Sequence, residues 1–211
     1  LAEAEVARLN DELVAERVVA RKDTLTGLFN RSGFFEFGSA ALTDSSRRPL
    51  VFILVEIEHF KRMNETLGTL AVDQIISALG RRLSDYTKGG VVGRIGDHTL
   101  AALVTSSIAS DGTHYPHLRD LSRTLGEPVC VAGYLVRITT SVGMANVDEA
   151  MNLRQALQRA EVAMRRATRS QAILAGHHAA AGQDHQSIKG RVVLGPVYYR
   201  SRVVARHYRR A

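Results

Sequence analysis

The chain of 211 residues contains one cysteine, Cys130, and so nothing to pair it with inside the molecule. An internal disulfide is excluded and a reducing compartment fits. A lone thiol in an apolar, strand-like run is expected to be a small buried hydrophobe. The sequence also has no apolar run long enough to span a bilayer and no secretory signal pattern. A cytoplasmic location is therefore expected, for a whole protein or for the cytoplasmic part of a larger one. Acids are missing from Gln186 onward, where Lys189, Arg191, Arg200, Arg202, Arg206, Arg209 and Arg210 stand unopposed. Removing these seven from the 28 basic residues leaves 21, equal to the 21 acids, so the body is neutral and the formal charge of +7 lies in the tail.

What is present is an ordinary globular composition, 45% hydrophobic and 23% charged, enough for one domain with a full core and appendages. Residues 1–22 lack Gly and Pro and place Val6, Leu9 and Leu13 on a narrow stripe. They read as a helix, either a short coiled coil or a helix packed on its own domain. Pro49 to Lys61, PLVFILVEIEHFK, is a continuous apolar run ending in Glu56 and Glu58. Such a run is a strand buried on both faces, and acids at its C-terminal end emerge beside a ligand cleft. Val91–Ile95 and Leu100–Val104, joined by Gly96-Asp97-His98-Thr99, predict a β-hairpin with a polar tip.

Around these lie elements of helical and strand period. Asp23 is expected to cap a turn in which Gly27 permits a tight bend, and Phe34, Phe35 and Phe37 are expected in the core. From Asn64 to Leu83, Val72, Ile75, Ile76, Leu79 and Leu83 recur at helical spacing. Pro116 to Leu125 reads as a helix with Leu118, Leu121 and Leu125 inward. Pro128–Ala132 and Tyr134–Ala145 read as two strands about Gly133. Asp148 is then expected to cap a last helix running to about Ser170, with Leu153, Ala156, Leu157, Ala160, Ala163, Met164 and Ala167 buried. Gly176–Gln186 reads as linker. Its His177, His178 and His185 have no acid or thiol at a fixed offset to complete a metal site.

Three stretches resemble the successive motifs of the GGDEF family, whose active members are diguanylate cyclases that join two GTP into cyclic di-GMP. These are Asp23-Thr24-Leu25-Thr26-Gly27-Leu28-Phe29-Asn30-Arg31, then Glu56-Ile57-Glu58-His59-Phe60-Lys61 with Asn64 and Asp73, then Arg94-Ile95-Gly96. The resemblance covers roughly residues 20 to 172. It implies an α/β (α+β) fold with a central, mainly antiparallel five-stranded sheet flanked by helices, palm-like as in nucleotidyl cyclases. The expected division is an N-terminal signalling or coiled-coil helix over 1–22, a GGDEF-like domain over 23–172, and a linker with basic tail over 173–211. Because the chain opens on Leu1, it is expected to be a fragment. The resemblance also implies a homodimer through the N-terminal helix and an upstream sensor domain or partner protein.

Joining two GTP requires deprotonation of a ribose hydroxyl and stabilisation of a transferring phosphoryl group, work done by divalent ions on carboxylates. In the family, acids from the strand end and the hairpin tip hold the metals. Here Glu56 stands where Asp is usual, so one weak metal ligand remains, and His98 and Thr99 replace the tip's acidic pair. Asp97 sits one residue early, at the second glycine's position, which turns its side chain to the opposite side. A tip of Gly96, Asp97, His98 and Thr99 thus leaves no intact catalytic set. His98 suits a softer metal than Mg²⁺. The family's triphosphate-gripping Lys and Arg correspond to Thr168 and Ala172, while Arg165, Arg166 and Arg169 project elsewhere. Thr87 and Gly90 occupy the inhibitory Arg-x-x-Asp site.

Asn64 and Asp73 match the positions that read guanine, and the backbone near His59, Phe60 and Lys61 matches a phosphate cradle. The residue-level alternatives are a helix cap for Asn64, a surface acid for Asp73 and a salt bridge for Lys61. Glu58 is expected to face solvent or the helix start, and Arg94 to brace the hairpin. The leading expectation is a catalytically inactive signalling module that retains guanine-nucleotide binding, with Mg²⁺ or Mn²⁺ entering only alongside GTP. One alternative is an active cyclase in which Glu56, Asp97 and His98 bind Mn²⁺. Another is nucleic-acid or anionic-membrane binding through the tail, against which a solvated extension is favoured.

Overall fold

The computed structural model describes residues 19–106 and 118–180, together with Glu5, Arg8 and residues 199–200; for 118–120, 167–180 and 199–200 only the backbone is described. The stripe of Val6, Leu9 and Leu13, the side chains of Leu118, Ala167, Thr168, Ala172, His177 and His178, the whole of His185 and most of the basic tail lie outside this description. No described helix is long and apolar enough to cross a membrane.

The chain order is α1 (Arg31–Thr43), β1 (Leu50–Ile57), α2 (Phe60–Leu67), α3 (Thr69–Tyr86), β2 (Val91–Gly96), β3 (Thr99–Thr105), α4 (Leu118–Leu125), β4 (Val129–Val131), β5 (Tyr134–Val136), β6 (Thr140–Val147), α5 (Leu153–Ala180) and β7 (Tyr199–Arg200). The main sheet runs β2-β3-β1-β6-β7 with every strand pairing antiparallel. Four strands carry it. The fifth is the two-residue β7, bonded to Ser141 and Val142 at the outer side of β6.

Strand β1 is central because its whole sequence is apolar up to Val55. Its alternate residues enter two separate cores. Val51, Ile53, Val55 and Ile57 face α3, meeting Val72, Ile75, Ile76, Leu79 and Leu83. Leu50, Phe52 and Leu54 face α1 and α5, meeting Phe34, Leu153, Ala156 and Ala160. Each such side chain contributes on the order of 2 kcal/mol by burial. Phe34 is fully buried, whereas Phe35 and Phe37 are only partly so, at the margin of the second core. Helix α5 approaches β6 closely, and a Cβ on Gly143 would collide with the Ala160 carbonyl. On the other face Arg82 docks α3 to the turn after α4. Its guanidinium donates to the carbonyls of Glu127 (2.6 Å), Pro128 (2.9 Å) and Leu125 (3.4 Å), and burial pushes its pKa below the ordinary guanidinium range.

Several expectations are corrected. The helical pattern from Asn64 to Leu83 is two helices, because Gly68 (φ 81°) ends α2 and starts α3 in a conformation that favours glycine. The run Tyr134–Ala145 is split. Val136 ends a separate two-stranded ribbon with β4, and β6 begins at Thr140, opposite Ile57, where β1 ends and can pair no further. Cys130 is exposed, since Val129 and Val131 on either side of it take the inward face of the ribbon. The cap of α5 is Asn152. Its Oδ1 accepts from Gln155 N at 3.0 Å while Gln155 Oε1 accepts from Asn152 N at 2.9 Å, and Asp148 instead pairs with Arg159. The α5 backbone continues past Ser170 to Ala180, because residues 171–180 contain no proline and one Gly costs a helix only about 1 kcal/mol.

Candidate functional site

The site is built on the C-terminal end of β1. Glu56 stands opposite Thr99 of β3 and Ser141 of β6, so the three share one sheet face. The turn between β2 and β3 is tight. Gly96 pairs with Thr99, Ile95 is bulged out of register, and Asp97-His98 form the tip. Ile57 N donates to the His98 carbonyl at 3.0 Å and fastens the tip to the strand end.

This placement turns the His98 ring over the strand end. Its Nε2 lies 3.2 Å from Glu56 Oε1, and the ring stacks on Phe60 with centroids 5.2 Å apart and planes at 22°. The two polar side chains are 38% and 40% exposed. Asp97 is exposed and contributes its carbonyl, which accepts from Arg94 Nη2 at 2.8 Å; its carboxylate does not join Glu56.

The base of the hairpin is held firmly. Asp23–Arg31 runs along the outer edge of β2. Phe29 N donates to the Val92 carbonyl (3.1 Å), and Arg94 N donates to the Phe29 carbonyl (2.8 Å). Asp23 Oδ1 accepts from Thr26 N at 2.9 Å, making the expected turn with Gly27 at φ 70°. Asp23 Oδ2 faces Arg94 Nη1 at 3.4 Å, and Arg31 Nη1 donates to the carbonyl of the bulged Ile95 at 2.9 Å. Arg94 therefore braces the hairpin, as its position in the sequence implied.

On α2, Phe60 and Asn64 lie one turn apart on the same face. Asn64 Oδ1 is buried and has no hydrogen-bond partner among the described residues. Asp73 is half-buried on α3, and Lys61 is exposed. The structure thus brings together Glu56, His98, Phe60 and Thr99, and keeps Asp97 and Lys61 out of the group. His59, the residue before α2, adopts φ 55° and offers no side-chain cap. Glu58 turns to Ser141, whose Oγ donates to it at 2.6 Å. Sequence reasoning missed Ser141, which comes beside Glu56 only through the register of β6 against β1.

The resemblance implies Mg²⁺ at this place, and the chain's own side chains fit it poorly. Mg²⁺ takes oxygen ligands in an octahedron, and the one carboxylate here, Glu56, is paired with the imidazole of His98, a nitrogen donor. No group of three or more His, Cys, Asp or Glu among the described residues is placed to hold a metal ion.

The chain spans 21% of the length of mycobacterial curated relatives that it matches at 27% identity. An uncharacterised 19.3 kDa protein from Streptomyces ambofaciens is 31% identical over 148 residues, 69% of this chain and 76% of that one. The diguanylate cyclase VdcA of Vibrio cholerae is 34% identical over 87 residues, 41% of this chain and 25% of the cyclase. Among solved structures, the coiled coil and GGDEF domain of DgcB from Caulobacter crescentus, in complex with c-di-GMP, superposes with a TM-score of 0.67. It covers 80% of this chain and 91% of that one at 22% identity, a likeness of fold. The family model described as "Diguanylate cyclase, GGDEF domain" matches residues 20–172. With its motifs folded around β1 and the β2–β3 hairpin in that family's arrangement, the chain belongs to the GGDEF family.

Proposed function

We propose that this GGDEF domain is a catalytically inactive module of cyclic di-GMP signalling, which acts through contacts with a partner protein or a second copy and still binds a guanine nucleotide. One observation carries the proposal. Where the chemistry needs carboxylates at the tip, an imidazole sits there and closes on Glu56 at 3.2 Å. Losing one preorganised electrostatic group costs about 10²–10³ in rate, and the tip lacks two anionic ones. The signalling context is supported by family membership and by the activity that VdcA's name records.

Retained nucleotide binding is supported by Asn64. A buried amide oxygen without a partner is costly, and a base edge bearing donors would satisfy it. Partner contacts fall to the segment 1–22, through which a dimer would form below an upstream sensor.

The test is to incubate the protein with GTP and either Mg²⁺ or Mn²⁺, and to measure both cyclic di-GMP and bound GTP. The expected result is GTP binding with no product, weakened by about 2 kcal/mol, roughly thirtyfold, in Asn64→Leu. Sustained turnover abolished by Glu56→Ala would establish the variant-tip cyclase instead.

A further inference from the structure

We infer that Asn30 is a positioning residue that fastens the helical turn before Arg21 to the base of the β2–β3 hairpin, so that a rotation of that turn reaches the hairpin without being lost in the chain between them. The inference deepens the proposed function and rests on it only in taking the segment 1–22 as the input side of the module.

The chain is helical at Val19 and Ala20, and Lys22 N donates to the Val19 carbonyl at 3.0 Å. Asn30 grips this helix end through both its backbone and its side chain. Its Nδ2 donates to the carbonyls of Ala20 (2.8 Å) and Lys22 (3.3 Å), and its backbone N donates to the Arg21 carbonyl (2.8 Å). Its Oδ1 meanwhile accepts from Gly33 N at 2.9 Å and caps α1. A hydroxyl or a carboxylate would cap α1 as well. Among the common caps only the asparagine amide adds two N–H donors for carbonyls on the other side.

Phe29, the residue before it, grips the hairpin. Its N donates to the Val92 carbonyl at 3.1 Å, and its carbonyl accepts from Arg94 N at 2.8 Å. It also bridges antiparallel to Lys22, whose Nζ stands 3.9 Å from the centre of its ring. Neighbouring residues therefore hold the helix end and β2, with a single peptide unit between the two grips.

The joint is close-packed. A Cβ on Gly33 would collide with the Arg21 carbonyl, so the helix exit lies directly on the first turn of α1. Asp23 N donates to the Leu28 carbonyl at 2.8 Å, which closes the loop 23–28 on itself and leaves it little slack. Arg21 also pairs with Glu36 of α1, but both are exposed and the pair adds little. Contiguous hydrogen bonds between rigid elements can carry a displacement from one place to another. Here they run from Ala20 through Asn30 and Phe29 to β2, and β2 leads to the tip where His98 meets Glu56.

The experiment uses the full chain without nucleotide, so that its failure and a failure to bind GTP are separate results. Spin labels are attached at Val19→Cys, where the native side chain is 73% exposed, and at Asp97→Cys on the exposed tip, in a Cys130→Ser background that removes the native thiol. Labelled chain is diluted with unlabelled chain, so that only distances within one molecule are read. The expected result is one narrow distance that broadens in Asn30→Asp, which keeps the cap on α1 and loses the donors. Should that variant fail to fold, Asn30→Ser keeps the cap without the charge. Exchange of the Asn30 and Lys22 amides should quicken about tenfold, while Phe34, whose amide bonds the Asn30 carbonyl, keeps its protection. A role confined to capping would instead leave both readings at the joint unchanged in a variant that retains the cap. A distance that stays narrow in the folded variant overturns the inference, and a broad or double distance in the chain with Asn30 intact overturns it without any variant.

Discussion

The base and the tip of the β2–β3 hairpin are four residues apart and obey different constraints. At the base, a Cβ on Gly93 would stand 2.7 Å from Phe34 Cβ and 2.9 Å from the Phe29 carbonyl, and Arg94 meets Asp23 with both side chains under a fifth exposed. At the tip, Asp97 is exposed, and His98, more than a third exposed, pairs with Glu56 and stacks on Phe60. The base is fixed by side-chain packing, so substitutions there disturb the fold. The tip is tied through its carbonyls, Asp97 to Arg94 and His98 to Ile57, so its side chains can differ without disturbing the scaffold.

Three substitutions separate the two regions. Gly93→Ala has the largest expected effect, a loss of about 2–3 kcal/mol in denaturant unfolding, because the backbone of Phe29 and the side chain of Phe34 must both move. A smaller loss would mean that the hairpin base is not close-packed. Arg94→Met should cost about 1–2 kcal/mol, since it leaves the largely buried Asp23 carboxylate short of a donor and also frees the exposed Asp97 carbonyl. His98→Ala comes last, at about 0.5 kcal/mol or less, because its pairing with Glu56 is open to solvent and screened. A melting temperature lowered as far by His98→Ala as by Gly93→Ala would erase the distinction between base and tip.

Much of the fold was legible in the residues. The run LVFILVEI, short and rich in β-branched residues, read as a strand buried on both faces, and the hairpin followed from two apolar runs about a polar turn. What sequence could not supply was pairing. Nothing local in YLVRITTSVGMA says that Val136 belongs to a ribbon and Thr140 to the main sheet; that depends on β1 ending at Ile57. Cys130 was misplaced for the same reason, since burial in a strand depends on which face meets a neighbour. Of the site, the identities of Glu56, His98 and Asn64 were readable from motif position. The closure of the His98 ring on Glu56 and Phe60 was not, because it required the bulge at Ile95 that sets the angle of the turn.

The break at Gly68 leaves α2 as an eight-residue helix with no fully buried residue, whereas its neighbour α3 sends six into the core. Phe60 and Asn64 thus ride on the segment whose amides open at least expense, and hydrogen exchange there can be fast while α3 stays protected. Occupancy of the cleft would be felt first as ordering of those two turns, giving the domain a local read-out of ligand without any rearrangement of its sheet.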